Sequence, residues 1–226
     1  MFYLFKFPAP QDEHAERMSR MEILEYGNKD AETVLLQPVD EHDLESISRE
    51  VRLIREYAGP DFRLAAFPVG SWNKDLSPWN APAVFGNEDF GDGAEETLSQ
   101  ILDYCKERDK IYYIGGYSLA GLFALWAAYQ TDRFRGAAAA SPSMWFPGFT
   151  DYMKQRKPMC SRIYLSLGDR EERARNPVMA SVGDKIREAA GILQEQKIDS
   201  TLVWNAGNHF KENDLRTAKA FAWVMR

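Results

Sequence analysis

A serine that could act as a nucleophile lies in the run Ile111-Tyr-Tyr-Ile-Gly-Gly-Tyr-Ser-Leu-Ala-Gly-Leu122. The residues before Ser118 are β-branched and aromatic, as in a strand, and those after it lead into the apolar run Leu-Phe-Ala-Leu-Trp-Ala-Ala. A G-x-S-x-[GA] turn between a buried strand and a helix is a nucleophile elbow, which exposes the serine hydroxyl on a strained backbone. Gly116 and Ala120 supply the small residues that this turn requires. Such clusters also occur in ordinary strand-to-helix turns, but the flanking segments favour the elbow.

A serine hydroxyl needs a base, usually a histidine that a carboxylate orients. The chain has three histidines. His14 lies in a charged segment typical of a solvated turn, and His42 lies at a helix start, where a protonated base is disfavoured. His209 follows the last predicted strand in a glycine-bearing loop. Because ligands of open parallel sheets bind outside the carboxyl ends of the strands, where Ser118 also lies, His209 is the predicted base.

The orienting carboxylate is expected between Ser118 and His209, since serine, acid, histidine is the α/β-hydrolase order. The predicted strand 162–168 ends in Gly-Asp-Arg-Glu-Glu, so three acids compete. Glu171 is first, because a turn after the strand must carry the carboxylate towards the imidazole. Asp169, directly at the strand end, is its rival, and Glu172 is third. A solvated charged face is the alternative interpretation for the remaining acids.

The oxyanion formed when the serine attacks needs preorganised backbone N–H donors. The N–H of Leu119, next to the nucleophile, is the first candidate. The second donor normally follows the third strand, and because Pro38 has no N–H, Val39 or Asp40 is the candidate there.

Alternating strand and helix patterns place these residues on a parallel sheet covered by helices on both faces. Strands are predicted at 1–7, 20–26, 33–39, 62–69, 134–141, 162–168 and 200–204, besides the strand before Ser118. Helices are predicted from Asp40 to before Gly59, at about 94–107, after Ser118, across 182–193 and at about 214–225. The fold class is therefore α/β, with an N-terminal antiparallel hairpin and a mostly parallel sheet. Length and the lack of linkers or repeats predict one domain over 1–226.

A loop at about 70–93 interrupts this alternation on the predicted substrate side. It carries Trp72 and Trp79. A third tryptophan, Trp145, comes shortly after the predicted strand 134–141, in Ser141-Pro-Ser-Met-Trp145. Loops of this length in compact domains are usually functional or disordered, and aromatic residues argue against disorder. The three tryptophans are predicted to line a substrate pocket, with packing in the core as the competing interpretation.

Composition restricts the partners. Hydrophobic content is 45% and formal net charge is −6, as in a soluble globular enzyme rather than a nucleic-acid-binding or disordered chain. No apolar run is long enough to span a bilayer, so no membrane partner is expected. Cys105 and Cys160 form no metal-ligand spacing, which favours reduced thiols, no metal site and a cytoplasmic location. The expected partner is a small-molecule substrate.

The chain resembles the esterase family of α/β-hydrolases that includes feruloyl, enterochelin-type and formylglutathione-hydrolase-like esterases. The residues that carry the resemblance are Gly116-Tyr-Ser-Leu-Ala-Gly121, Ser141-Pro-Ser-Met-Trp145, Asn73-Lys-Asp-Leu-Ser-Pro78 and His209. The resemblance implies hydrolysis of carboxylic esters or thioesters through an acyl-enzyme, without metal or organic cofactor. The chain departs from the family pattern at Ala120, in place of the second elbow glycine, at Pro38, and in an acid that is glutamate if Glu171 fills that place.

The sequence thus predicts a serine esterase. An acyltransferase with the same site is an enzymatic alternative, and a hydrolase-fold protein that binds without catalysis is an alternative of another class. A covalent adduct between Ser118 and a fluorophosphonate separates the catalytic interpretations from the last one.

Overall fold

The computed structural model describes residues 22–226, so the strand predicted at 1–7 and the surface position predicted for His14 lie outside the described residues. The strands are β1 (Leu24–Gly27), β2 (Thr33–Val39), β3 (Arg63–Pro68), β4 (Ile111–Tyr117), β5 (Phe134–Ala140), β6 (Arg162–Gly168) and β7 (Asp199–Asn205). The helices are α1 (Glu41–Ala58), α2 (Trp72–Asp75), α3 (Ala94–Tyr104), α4 (Ser118–Ala127), α5 (Phe149–Gln155), α6 (Pro177–Ala180), α7 (Val182–Glu195) and α8 (Asn213–Val224), with a 3₁₀ helix at Glu171–Arg173.

The strands form one seven-stranded sheet in the order β1-β3-β2-β4-β5-β6-β7. Neighbouring strands from β3 to β7 are parallel, whereas β1 pairs antiparallel with β3, with Leu24 opposite Ala66. This arrangement confirms the predicted α/β class and the antiparallel strand at the N-terminal edge. The carboxyl ends of β4, β6 and β7 therefore reach the same edge of the sheet.

Helices cover both faces of the sheet. On one face α1 and α8 pack together, and α1 buries Ile47, Val51 and Ile54, which recur at helical spacing. On the other face lie α3, α4, α5 and α7. Helix α4 is apolar nearly all round and buried from Leu119 to Ala127, so the nucleophile run ends in the core.

The region predicted as a loop at 70–93 contains secondary structure. Helix α2 occupies its start, and Ala81 and Phe90 form an isolated antiparallel bridge. The side-chain amide of Asn176 donates to the carbonyl of Val84 (2.6 Å), which joins this region to the segment after β6. The predicted helix at 94–107 ends earlier, at Tyr104, where the backbone leaves helical dihedral angles at Cys105.

Both cysteines are buried and free. Within residues 22–226, each helix is too short or too polar to cross a bilayer.

Candidate active site

The nucleophile run forms a sharp turn from β4 into α4. Ser118 is the first residue of α4 and has a positive φ of 57°, a value that L residues rarely adopt. The turn closes because Gly116 has no side chain: a Cβ there would lie 2.6 Å from the Cβ of Ala120. The predicted need for small residues two positions either side of Ser118 therefore has a direct steric cause.

Three predicted residues meet at the carboxyl edge of the sheet. His209 Nε2 lies 3.0 Å from Ser118 Oγ, and His209 Nδ1 lies 2.6 Å from Glu171 Oε2. An ionised carboxylate can only accept, so Nδ1 carries the proton and Nε2 accepts the hydrogen of the serine hydroxyl. The serine comes from the elbow, the carboxylate from the turn after β6, and the histidine from the loop after β7.

Glu171 is buried, with 7% of its surface exposed, yet it is surrounded by donors. Oε1 accepts the backbone N–H of Gly168 (2.7 Å) and Nη1 of Arg216 (2.9 Å), while Oε2 faces His209. Burial by itself raises the pKa of Glu171, but the hydrogen bond and charge of His209, the Gly168 N–H and the hydroxyl of Ser141 outweigh it and hold the pKa below its usual value. The carboxylate is therefore ionised at neutral pH.

The other two acids, Asp169 and Glu172, contact different groups. Asp169 Oδ1 accepts the backbone N–H of Gly207 (2.8 Å), because a residue directly at the strand end points along the neighbouring loop. Glu172 pairs with Arg187 on α7 (2.8 Å). Only after one further turn, in the 3₁₀ helix, does a carboxylate face the imidazole, and that residue is Glu171.

Arg216, on α8, was not among the predicted residues. It is 1% exposed, and its Nη1 donates to the Tyr117 hydroxyl (3.0 Å) and the Ser141 hydroxyl (3.1 Å) as well as to Glu171. Its Nη2 donates to the carbonyl of Asn208 (2.9 Å), next to the histidine. The sequence held one signal: Arg216 lies four residues before Ala220 and eight before Val224, so helical spacing puts all three on one face, which α8 buries.

Tyr117 and Ser143 lie within the elbow and Ser-Pro-Ser motifs, but neither of them was assigned a role from the sequence. Burial raises the pKa of Tyr117 to about 12, so its hydroxyl stays protonated and donates to the carbonyl of His209 (2.7 Å). The Ser143 hydroxyl lies 3.3 Å from Ser118 Oγ, and its backbone N–H donates to the Ser118 carbonyl (3.1 Å). The Ser-Pro-Ser segment after β5 thus forms one wall beside the serine.

The predicted oxyanion donors lie in two parts of the chain: Leu119 follows the nucleophile, and Val39 and Asp40 lie where β2 ends and α1 begins. Leu119 is in the first turn of α4, where backbone N–H groups have no partner within the helix. Val39 is the last residue of β2, and its carbonyl accepts the N–H of Val69 (3.0 Å). Asp40 caps α1 in a capping box, in which its N–H faces the Asp43 carboxylate at 3.4 Å. The chemistry of a tetrahedral oxyanion requires two such donors on one side of the serine.

The three tryptophans have different surroundings. Trp79 packs against Phe146 and Phe149 and donates its indole N–H to the carbonyl of Pro147 (3.0 Å), as a core residue does. Trp72, in α2, is partly buried against the core of the α4 face. Trp145, which comes two residues after Ser143 in the chain, is buried.

Two exposed aromatic rings lie beside these groups. Phe85 is half-exposed and packs edge-on against Trp145 (5.9 Å between centroids). Phe210 is 83% exposed and packs edge-on against His209 (5.5 Å). Exposed apolar surface therefore adjoins His209 at Phe210 and Trp145 at Phe85.

A second buried glutamate lies on α1 and contacts different groups. Glu50 is 4% exposed, and one of its oxygens accepts the side-chain amide of Gln37 at 3.5 Å. Its other oxygen has no hydrogen-bond partner within residues 22–226. Burial, with the nearby charges of Asp43 and Asp214, raises the pKa of Glu50 well above its usual value, against the opposing bond from Gln37.

Metal-ligand geometry is not present in the part of the chain that the structure describes: it contains no group of three or more histidine, cysteine, aspartate or glutamate residues suited to hold an ion.

No protein-family model matches the sequence, and a search of curated proteins finds no match either. Solved structures do share the fold. An IroE-like serine hydrolase from Shewanella oneidensis has a TM-score of 0.67 at 14% identity, over 85% of this chain and 70% of that one. The siderophore hydrolase EstB from Aspergillus nidulans has a TM-score of 0.63 at 16% identity, over 88% and 83%. A carboxylesterase from Bacillus cereus has a TM-score of 0.59 at 13% identity, over 93% and 98%. The chain therefore has an α/β-hydrolase fold.

Proposed function

We propose that the protein is a serine hydrolase that cleaves a small-molecule carboxylic ester or thioester through an acyl-enzyme. The observation that carries the proposal is the continuous contact from Ser118 Oγ through both nitrogens of His209 to Glu171, at 3.0 and 2.6 Å. A merely structural serine does not require a positive φ at a strand-to-helix turn, a histidine nitrogen and a buried carboxylate in line. The solved serine hydrolases and esterases of the same fold also support it.

The reaction follows from these contacts. Ser118 Oγ attacks the acyl carbon while its proton passes to His209 Nε2, and Glu171 stabilises the imidazolium that results. The carbonyl electrons move to the oxygen, which takes hydrogen bonds from the N–H of Leu119 and of Val39 or Asp40. The tetrahedral intermediate collapses, and the alcohol or thiol leaves with the proton from His209. Water then gives a proton to His209 Nε2 as its oxygen attacks the acyl carbon, and the second tetrahedral intermediate releases the carboxylic acid while Ser118 Oγ takes the proton back from His209.

The aromatic rings beside the site favour a planar or apolar acyl group. In this proposal the acyl group packs against Trp145 and Phe85, whose edge-on contact leaves the ring of Phe85 half-exposed. Replacing Phe85 with alanine is expected to raise KM about tenfold for an aryl-acyl ester and to leave an acetyl ester within about twofold. Equal effects on the two esters would remove Phe85 from the substrate contact.

Fluorophosphonate labelling and ester hydrolysis test the function together. We expect one covalent adduct on Ser118 in the wild type and none in Ser118→Ala. Ser118→Ala should also have a kcat/KM for aryl esters and thioesters at least about 10³-fold below that of the wild type. Ser99→Ala, an exposed serine on α3, is the matched control and should keep both labelling and rate.

The results also separate the alternatives. Labelling with transfer of the acyl group to an added alcohol or amine, in preference to water, would identify an acyltransferase. A folded wild-type protein that neither labels nor turns over any ester in the panel would overturn the enzymatic proposal and favour a binding protein.

A further inference from the structure

We propose that Arg216 is a positioning residue that fixes Glu171 and the loop carrying His209 to each other and keeps Glu171 ionised. The inference rests on the proposed serine hydrolase function. The guanidinium of Arg216 donates to Glu171 and to the carbonyl just before His209, so it acts through these two residues rather than on the substrate.

The two ends of the guanidinium contact the two partners that must stay together. Nη1 donates to Glu171 Oε1 at 2.9 Å, and Nη2 donates to the carbonyl of Asn208 at 2.9 Å, one residue before His209. A planar guanidinium with donors on both ends sets the separation of these groups, which the point charge of a lysine cannot do.

The backbone around this fork leaves little room for adjustment. A Cβ on Gly168 would lie 2.4 Å from the carbonyl of Gly207, 2.9 Å from Glu171 Oε1 and 3.0 Å from Arg216 Nη1. The end of β6, the histidine loop and the arginine are therefore in direct contact at one point. Tyr117, at the end of β4, contacts both groups as well. Its hydroxyl accepts a hydrogen bond from Arg216 Nη1 (3.0 Å) and donates one to the carbonyl of His209 (2.7 Å).

Electrostatics gives Arg216 a second effect. The charged or titratable groups that face Glu171 are His209, Arg216 and Tyr117, and the last stays neutral because burial raises its pKa. Arg216 is the permanent positive charge among them. Removing it leaves a buried carboxylate whose remaining donors include the N–H of the imidazole and the backbone N–H of Gly168, and the loss of a permanent positive charge disfavours the ionised form.

The test compares Arg216→Gln, which removes charge and fork, with Arg216→Lys, which keeps the charge alone. Arg49→Gln is the matched control. Arg49, on α1, pairs at 2.6 Å with Asp214, which is on α8 like Arg216, and this ion pair does not involve Glu171. Three measurements are made: ester kinetics for kcat and KM, ¹³C NMR titration for the pKa of the Glu171 carboxyl with Glu171→Gln for assignment, and thermal unfolding to check that each variant is folded.

We expect Arg216→Gln to lower kcat about 100-fold with KM within about twofold, because misplacing a catalytic group acts on the chemical step. It should also raise the pKa of Glu171 by about 1 or more. Arg216→Lys should lower kcat about tenfold while the pKa of Glu171 stays near the wild-type value. Arg49→Gln should change neither quantity.

A double-mutant cycle shows whether Arg216 acts through the acid. In a Glu171→Gln background, Arg216→Lys should cause less than about a twofold further loss in kcat, because the contact it disrupts is already changed. Full additivity, or equal losses in both arginine variants with an unchanged pKa of Glu171, would overturn the proposal in favour of a purely structural arginine. If the wild type hydrolyses no ester, the carboxyl titration still decides whether Arg216 holds Glu171 ionised, so the two proposals fail separately.

Discussion

Two glutamates in this protein are almost equally buried and have opposite electrostatic properties. Glu171 faces an imidazole, a guanidinium and a backbone N–H, and its pKa lies below the usual value. Glu50 faces the side-chain amide of Gln37 at 3.5 Å, and its pKa lies well above the usual value. The adjacent Arg49 pairs with Asp214 instead.

The comparison shows that burial alone does not decide whether a carboxyl group has a raised or a lowered pKa. Desolvation acts on both glutamates in the same direction, and donors reverse it at only one of them. The difference between the two is therefore a property of the surrounding network, which spans β4, the turn after β6, the loop after β7 and α8.

The largest expected difference between the two glutamates is in catalysis. Glu171→Gln should lower kcat/KM for an aryl ester about 10³ to 10⁴-fold, because the amide can stabilise neither the correct tautomer nor the imidazolium. Glu50→Gln should leave kcat/KM within about twofold. Glu172→Gln, which changes an acid paired with Arg187 at the surface, is the control for a nearby charge. A comparable loss in Glu50→Gln or Glu172→Gln would contradict the assignment of the acid.

The pH dependence of stability should also distinguish Glu171. Its folded-state pKa is lowered, so its stabilising effect is present above the unfolded pKa of about 4.5 and is lost as pH falls through the folded value. Glu171→Gln should therefore lower the free energy of unfolding by about 1 to 3 kcal/mol near neutral pH, with a smaller difference in acid. Urea unfolding across this pH range measures it, and a pH-independent difference would argue that only packing was lost.

Glu50 should show the opposite slope. Its folded-state pKa is raised, so its contribution is fully present below the unfolded pKa of about 4.5 and is lost as pH rises towards the folded value. Glu50→Gln keeps the shape and cannot ionise, so its free energy of unfolding should approach or exceed that of the wild type as pH rises. The same urea series tests this, and a variant that becomes relatively less stable at higher pH would show that Glu50 is ionised and paired.

Asp43 should show the Glu50 behaviour on a smaller scale. Burial and the charge of Asp40 raise the pKa of Asp43 to about 6. The hydrogen bond from the backbone N–H of Asp40 and the charge of His42 oppose this rise. Its contribution to stability is thus lost as pH rises from about 4 to 6. Asp43→Asn keeps an oxygen for the capping box and should raise the free energy of unfolding by about 1 kcal/mol above that range and by little below it. A change of the same size at both ends of the range would mean that the cap itself was altered.

How far these features follow from the sequence depends on whether they are local. The turn at the nucleophile is predictable from Gly116, Ser118 and Ala120. The close approach that demands small side chains there is between residues only a few positions apart in the chain. His209 follows from the strand count and the edge rule, so no knowledge of distances is needed. The alternation of elements likewise predicted the parallel sheet, and within residues 22–226 the antiparallel partner of β1 is β3.

The rest depends on dihedral angles and on distant contacts. The choice between Asp169 and Glu171 is set by a 3₁₀ turn, which the charged run 169–175 does not reveal. Arg216 looks like any charge on a terminal helix until α8 packs over the carboxyl edge and buries it. Trp79 likewise cannot be assigned to a pocket or a core before its contact with α5 is known.

The positive φ of 57° at Ser118 has a consequence for the evolution of this fold. A non-glycine residue in that region is strained by about 1 kcal/mol or more, so Ser118→Gly should unfold at a higher temperature than Ser118→Ala, and neither variant is expected to hydrolyse esters. Under selection for stability alone, glycine would be the favoured residue at this position. A serine there is expected to persist only in lineages in which the reaction itself is under selection, so this single position separates pressure on activity from pressure on folding.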